Sequence, residues 1–210
     1  MNLRNNSFYG EIPKEVGHLF QLRHFNLSNN TLGGEIPASL TNCSELKVIG
    51  LQCNKLIGKI PMELGSLSKL LYFLVAENNL IGRIPPFLGN LSFHEVFSVT
   101  YNSLEGNIRE NIGCLKSLSY FGVGSNKLND MVPSSLYNLS SISILRFGEN
   151  QLSGALPTNI GLTLPNLKVF KIGGNKFFGP IPGSLYNASK LEIIDLGSDK
   201  LVRSVPTNFG

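Results

Sequence analysis

The stretch "LSNNTLGGEIPASLTN" (Leu27–Asn42) combines residues typical of turns with residues typical of a core. Its Asn pair, Gly pair and Pro favour turns, because each adopts or imposes a backbone conformation that regular elements disfavour. Large apolar residues lie between them at Leu27, Leu32, Ile36 and Leu40. Since a solvated loop would not carry so many, the stretch predicts a short coil that turns sharply while contributing to a core.

The same pattern recurs along the chain as L-x-x-L-x-L-x-x-N-x-L-x-G-x-I-P. Its anchor residues are separated by 24 residues, with a single interval of 25 before Asn175, and are Asn6, Asn30, Asn54, Asn78, Asn102, Asn126, Asn150, Asn175 and Asp199. A constant period of this length indicates stacked repeats, each too small to bury its own apolar face. We expect one α/β solenoid over residues 1–210, with seven full repeats of 24–25 residues over residues 22–190 and partial repeats at both ends. On this interpretation, caps, a transmembrane span and a kinase are absent from the chain.

Each part of the repeat has a physical role. In Leu22–Asn30, Phe25 and Leu27 alternate with polar residues, which predicts a short strand with one buried face. Strands of successive coils should pair about 4.8 Å apart in one parallel sheet on the concave side. The anchor Asn should turn inward and bond backbone groups of adjacent coils, forming an Asn ladder. Asp199 interrupts the ladder, because a carboxylate cannot donate a hydrogen bond.

Composition and charge exclude several functions. The net charge of +4 comes from 18 basic and 14 acidic residues, and the basic residues are scattered rather than clustered as in a nucleic-acid-binding surface. The longest apolar run, Leu70–Ala76, is far shorter than the roughly 20 residues that span a bilayer. No catalytic or phosphate-binding motif is present, and the three His do not converge with carboxylates at metal-ligand spacing. We therefore expect no catalytic, metal-binding or cofactor-binding residues in this chain.

The three cysteines are expected to remain unpaired. Cys43 should be a buried thiol beside a strand, and Cys53 should face the concave surface. Cys114 occupies nearly the same repeat phase as Cys43 but lies too many coils away to form a disulfide.

The L-x-G-x-I-P extension resembles the plant-type extracellular leucine-rich repeat, and the resemblance covers the entire chain. Leu156–Gly197 is similar to receptor-like serine/threonine kinases of the subfamily that includes flagellin-sensing and rice blight-resistance receptors. The resemblance implies a leucine-rich repeat superhelix with short helical or 3-10 turns on its convex side. Three residues depart from the pattern: Arg109 replaces Pro, and Asp130 and Arg203 replace Gly. These departures put the second strand of their repeats in doubt.

Binding residues are expected on the outward strand positions of the concave sheet. An exposed stripe of aromatic and aliphatic residues favours a partner, although β-branched residues also pack well on any sheet face. Arg146 and Lys171 occupy the same outward position on adjacent coils, and relatives of the resembled family clamp a peptide carboxylate with paired basic residues. Alternatively, Glu149 and Asp195 neutralise the two cations. The predicted ligand-binding residues are Tyr72, Leu74, Tyr101, Tyr120, Arg146 and Lys171.

N-x-S/T sequons at one repeat position on alternate coils predict N-linked glycans along one edge of the solenoid. These sequons are Asn42, Asn90, Asn138 and Asn187. Glycans there would leave the concave face open. The alternative is that the phase is inherited with the repeat and carries no sugar.

The resemblance implies a ligand-recognition segment of a plant receptor kinase ectodomain, active in immune or developmental signalling on the extracellular side of the plasma membrane. Its partners would be a peptide or protein ligand and a co-receptor kinase, with no nucleic acid, and with membrane attachment only through a segment absent from this chain. Two alternatives stay open: a secreted inhibitor of cell-wall-degrading enzymes, and a truncated product without activity. The reading frame beyond residue 210 would distinguish them.

Overall fold

The computed structural model describes residues 1–86 and 95–202. Within them, eight parallel three-residue strands form one concave sheet. Neighbours pair without a register shift, so that Val48 lies opposite both His24 and Tyr72. The strands are β2 (His24–Asn26), β4 (Val48–Gly50), β5 (Tyr72–Leu74), β7 (Val96–Ser98), β9 (Tyr120–Gly122), β11 (Ile144–Arg146), β13 (Val169–Lys171) and β15 (Ile193–Asp195).

A second set of parallel strands follows the Asn ladder on the lateral side of the coils. β1 (Tyr9–Glu11) pairs with β3 (Thr31–Gly33) in a two-stranded sheet. Isolated bridges join residues 35 to 57 and 59 to 81 in the coils that follow. A six-stranded sheet then contains β6 (Ile81–Arg83), β8 (Ser103–Gly106), β10 (Lys127–Met131), β12 (Gln151–Ala155), β14 (Lys176–Pro180) and β16 (Lys200–Val202).

Short helical turns cover the convex side, as the resemblance implies. Pro directly precedes several of them, because its fixed φ suits an extended residue at the start of a turn. The 3-10 helices are Lys14–His18, Ala38–Asn42, Met62–Ser66, Glu110–Cys114, Leu136–Asn138 and Gly183–Asn187, and the α-helix α1 is Ile160–Thr163. The prediction of a parallel-sheet solenoid with short convex turns is confirmed.

The core is a narrow column of side chains between the concave sheet and the convex turns. The middle residue of each concave strand from β2 to β13 is buried, among them Phe25 and Leu145. Phe73, Phe97 and Phe121 stack at centroid distances of 5.8 and 5.6 Å. Because a repeat packs mainly against its neighbours, this aromatic row holds successive coils together.

Side chains of the anchor Asn residues bond backbone groups of their own and of adjacent coils. The side-chain amide of Asn54 donates to the carbonyl of Leu27 in the preceding coil at 3.0 Å and to the carbonyl of Leu51 at 3.1 Å. Its Oδ1 accepts the N–H of Leu32 at 3.1 Å. Equivalent donations to the preceding coil occur at Asn30, Asn78, Asn102, Asn126, Asn150 and Asn175. Asn6 bonds carbonyls of its own coil, at Leu3 and Arg4.

The doubt about two lateral strands was wrong. Arg109 follows β8 in an extended conformation, with φ −85° and ψ 151°, which does not require Pro. Asp130 lies within β10 at φ 66°, the left-handed conformation that Gly adopts at this position in other coils. Asp tolerates this conformation better than most residues, because its short side chain can bond locally. Arg203 lies outside the described residues.

The three cysteines are free, as expected. Cys43 is fully buried, and burial raises the pKa of its thiol. Cys53 is partly exposed, and burial together with the neighbouring carboxylate of Glu77 raises its pKa. Among residues 1–86 and 95–202, no helix is long and apolar enough to cross a membrane.

Candidate functional site: a glycine-floored cavity on the concave face

The outward strand positions align in columns across the concave sheet. One column contains Tyr72 and Tyr120, and the next contains Leu74, Arg146 and Lys171. Arg146 pairs directly with Lys171 across β11 and β13, so the two side chains start about 4.8 Å apart. The structure therefore places the two predicted cations side by side.

A third outward column, two residues before each ladder residue, changes character along the solenoid. In four successive coils it carries side chains, at Ser28, Gln52, Ala76 and Thr100. In the next four coils it is glycine, at Gly124, Gly148, Gly173 and Gly197. We call these four residues the glycine trough, because they leave a strip of bare backbone across four coils.

The glycine trough is the floor of a cavity of about 320 Å³, which we call the concave cavity. Its wall on the strand side contains Arg146, Lys171 and Asp195. The residues that directly follow the third outward column form the other wall, and they are Tyr101, Ser125, Glu149, Gly174 and Ser198. The volume is at the lower end of the range typical of ligand sites.

Arg146 is positioned by an aromatic ring. Its guanidinium carbon lies 5.9 Å from the ring centroid of Tyr120, a cation–π distance. The Tyr120 ring in turn lies over Gly122, where a Cβ would come within 2.7 Å of the ring. Because Gly122 has no side chain, the ring can cover the strand and support the cation above it.

The two cations are not neutralised by ion pairs with Glu149 or Asp195, as the alternative supposed. The ion pairs of the described residues are Lys69–Glu45 and Lys168–Glu192, and none of these four residues lines the cavity. The two carboxylates instead fold over glycines. Oε1 of Glu149 lies 2.6 Å from where a Cβ of residue 174 would be, and Oδ1 of Asp195 accepts the N–H of Gly197 at 3.2 Å. The cavity thus combines two unpaired cations with two carboxylates.

The structure divides the six predicted binding residues into two groups. Tyr101, Arg146 and Lys171 line the concave cavity, with Tyr101 62% exposed, and Tyr120 contacts Arg146. Tyr72 and Leu74 belong to the coil before that of Tyr101, do not line the cavity and are partly buried. The Tyr72 hydroxyl donates to Oε2 of Glu95 at 2.6 Å, and this bond raises the pKa of Tyr72.

The sequence interpretation missed the glycine trough. Its signal is present in the sequence, because four consecutive repeats carry Gly two residues before the anchor, where earlier repeats carry a side chain. The cavity becomes visible only when the columns are compared along the solenoid.

The predicted glycosylation residues that the structure describes share one place. Asn42, Asn138 and Asn187 are each the last residue of a convex 3-10 helix, and all three are exposed. They lie away from the concave cavity, whose lining contains none of them. Asn90 lies outside the described residues.

The part of the chain that the structure describes was also compared with the ligand clusters that metal ions need. There, no group of three or more His, Cys, Asp or Glu residues could hold a metal ion.

Comparison with known proteins identifies the family. The family described as "Leucine-rich repeat region" matches residues 3–202, and the chain therefore belongs to the leucine-rich repeat family. The comparison with curated protein sequences gave no match.

Several solved structures share the fold. They include the plant peptide hormone receptor RGFR1 in complex with RGF2 (33% identity, TM-score 0.91) and a TDR receptor (36% identity, TM-score 0.92). A third is the Arabidopsis receptor kinase HAESA in complex with the peptide hormone IDA and the co-receptor SERK1 (31% identity, TM-score 0.91). In each case 96% of this chain is covered, against 32%, 35% and 34% of the three other chains. The chain thus spans about a third of their length.

Proposed function

We propose that this chain is a ligand-recognition segment of a plant cell-surface receptor kinase ectodomain, and that the concave cavity binds a peptide. The observation that carries the proposal is the pair of unpaired cations, Arg146 and Lys171, beside the bare backbone of the glycine trough. Two adjacent cations repel each other and favour an anionic partner between them. The four glycines leave room for an extended chain to lie across the coils.

The likeness to peptide hormone receptors supports this role. RGFR1 and HAESA are each described in complex with a peptide hormone, and HAESA also with the co-receptor SERK1. On this basis we extend the proposal to an extracellular location and to a co-receptor kinase as second partner. The finer assignment, to the subfamily of flagellin-sensing and rice blight-resistance receptors, rests on the resemblance of Leu156–Gly197 and is part of the proposal.

The anion that fits the two cations best is the C-terminal carboxylate of a peptide. Arg146 can grip both carboxylate oxygens with its planar guanidinium, whereas Lys171 adds a point charge. Tyr120 holds the guanidinium in place, which reduces the side-chain entropy lost on binding. Asp195, one coil further along, would attract a cationic group of the same peptide.

The test is a binding screen of the secreted chain against a panel of synthetic peptides made with free and with amidated C-termini. We expect peptides with free C-termini to bind, and Arg146→Ala to weaken the tightest of them by roughly 2–5 kcal/mol, as when one partner of a charge pair is removed. Amidation should cause a similar loss, and the two changes should not add, because they remove the same contact.

Lys127→Ala is the matched control, because Lys127 is an exposed cation on the lateral strand β10 and its removal changes the net charge equally. Its binding should equal that of the unmodified chain, as measured by titration calorimetry. Equal affinity for acid and amide peptides would remove the carboxylate clamp, and absence of any binding by the panel would contradict the peptide-binding role.

A further inference from the structure

The last described rung of the ladder differs chemically from the others. Seven rungs, from Asn30 to Asn175, both donate through Nδ2 and accept through Oδ1. Asp199 keeps the accepting half, since its Oδ1 accepts the N–H of Phe177 at 3.0 Å. Its Oδ2 is buried and has no hydrogen-bond partner.

The carbonyl that this rung should serve is also missing a donor. In the regular ladder, the carbonyl of Leu27 accepts from Asn30 at 2.8 Å and from Asn54 of the next coil at 3.0 Å. The equivalent carbonyl of Ile172 accepts from Asn175 at 2.7 Å. The next-coil donor would come from residue 199, where Oδ2 replaces the amide nitrogen. A carboxylate oxygen there cannot donate, but a carboxylic acid can.

The surroundings of Asp199 favour its neutral form. Burial raises the pKa of this carboxyl, the backbone N–H groups of Phe177 and Asn175 oppose that effect, and the charge of Asp195 reinforces it. The cations on the flanking lateral strands, Lys176 in β14 and Lys200 in β16, form no ion pair with Asp199. Lys176 is instead directed at Oε1 of Gln151, at 3.4 Å.

We propose that Asp199 is a proton-dependent rung of the ladder. With a proton on Oδ2, Asp199 donates to a backbone carbonyl and closes the ladder as Asn does elsewhere. When the proton is lost, a buried charge faces carbonyl oxygens, and the coil that contains β15 and β16 is held less firmly.

This coil forms one end of the concave cavity, so the rung regulates the site. Asp195, Gly197 and Ser198 line the cavity and belong to the same coil as Asp199. The regulatory meaning rests on the proposed peptide-binding function, whereas the rung itself does not. An acidic medium would order this wall, and a neutral medium would loosen it.

The sign follows from the direction of the pKa shift. Because the folded pKa of Asp199 is raised above its unfolded value, the stabilisation is fully present below the unfolded pKa. It is lost progressively as pH rises through the folded pKa. The protection of neighbouring amides should therefore fall with rising pH and then become constant.

Amide hydrogen exchange on the complete chain, without any ligand, tests the proposal. The reporters are the N–H groups of Ile172 and Gly174, which bond to the carbonyls of Asp195 and Gly197 in the last coil. Their protection factors should fall by about tenfold for each pH unit between the ordinary and the raised pKa. The N–H groups of Leu51 and Cys53, which bond to the next coil in the same way, should keep constant protection.

Two variants make the test specific. Asp199→Asn should keep the protection of Ile172 and Gly174 constant across the pH range, because an amide donates at every pH. Asn150→Asp should transfer the pH dependence to Val123 and Ser125, whose N–H groups bond to the coil of residue 150.

Asp195→Asn is the matched control, because it removes a nearby carboxylate and leaves the rung intact. The pH dependence should persist in it. A pH dependence that survives Asp199→Asn, or one that disappears in Asp195→Asn alone, would overturn the proposal. Since no ligand is used, a failure of the peptide-binding role would leave this result unaffected.

Discussion

The two halves of the concave face are built on the same frame but present different surfaces. Both halves have strands of the same length in the same register, and the same Asn ladder. The third outward column carries Ser28, Gln52, Ala76 and Thr100 in the first half, and the glycine trough in the second. The difference is confined to a position that the core and the ladder do not use.

That difference has an energetic cost and a packing consequence. Each Gly loses more conformational freedom on folding than a residue with a side chain, at roughly 0.5–1 kcal/mol. The first half shows that this position accepts polar and apolar side chains without loss of the coil. In the second half the coils approach closely, since a Cβ at Gly173 would lie 2.7 Å from the carbonyl oxygen of Gly197. Glycine therefore suits both the close packing of these coils and the open floor of the cavity.

The largest effect should come from filling the trough. Gly148→Gln places a side chain on the cavity floor and copies the residue that the first half carries at position 52. We expect peptide affinity to fall by roughly 2–4 kcal/mol, the range for losing a central contact. Titration calorimetry measures the loss, and a thermal melt checks the fold, because a Cβ at residue 148 would approach the Gly173 carbonyl to 3.0 Å.

The reciprocal change, Gln52→Gly, is its control. It bares one position of the first half, far from Arg146 and Lys171, and should leave peptide affinity unchanged. If Gln52→Gly reduced binding as much as Gly148→Gln, both halves would contribute equally to binding, and the site would not be confined to the glycine trough.

The frame could be predicted from the sequence in detail, whereas the cavity could not. The ladder and the column registers follow from a period that assigns each residue one place, and Asn102 and Arg146 lie where that period predicts. Asp130 was misjudged, because the pattern records which residue is usual and not which backbone conformations others tolerate. The cavity exists because four surface positions lack a side chain. The repeat pattern specifies the core and ladder residues and does not specify these surface positions.

The second effect is a loss of stability on replacing a residue of the Asn ladder, and it should be equal in the two halves. Asn102→Leu removes the acceptor of the Leu80 N–H, and Asn126→Leu removes the acceptor of the Leu104 N–H. Each leaves a backbone N–H without its partner, at about 1–3 kcal/mol of unfolding free energy.

Denaturant unfolding measures both variants under one condition. Similar losses would support one continuous ladder, and a loss in one half alone would mean that the halves are held differently. A variant that unfolds like the unmodified chain would contradict the role assigned to its rung.

A smaller effect should separate two tyrosines that share a column. Tyr120→Leu removes the ring beneath Arg146, and we expect peptide affinity to fall by about 0.5–1 kcal/mol, the magnitude of an exposed cation–π contact. Tyr72→Leu should not change affinity, because the Tyr72 hydroxyl is bonded to Glu95 outside the cavity. Titration calorimetry with one peptide compares the affinities of the two variants. An equal loss of affinity in both would mean that the binding site extends into the first half.

The smallest effect on peptide affinity should come from the glycans. They lie on the convex edge of both halves, away from the concave face. We expect Asn42, Asn138 and Asn187 to carry sugar in protein secreted from a plant or insect cell, since each is exposed at the end of a 3-10 helix. Asn29 is also exposed but should carry little, because its amide donates to Oδ1 of Asn5 at 2.6 Å and it directly precedes the buried ladder residue Asn30.

Peptide mapping by mass spectrometry measures the occupancy of each sequon. Asn138→Gln removes the glycan nearest in sequence to Arg146, and peptide affinity should change by less than about 0.5 kcal/mol, as for a surface substitution away from the site. The cavity and this residue belong to opposite sides of the same coils, so a sugar there has no path to the peptide. Sugar found on Asn29 but not on the three convex residues would reverse the assignment of open and covered faces, and with it the reason for placing the ligand in the glycine trough.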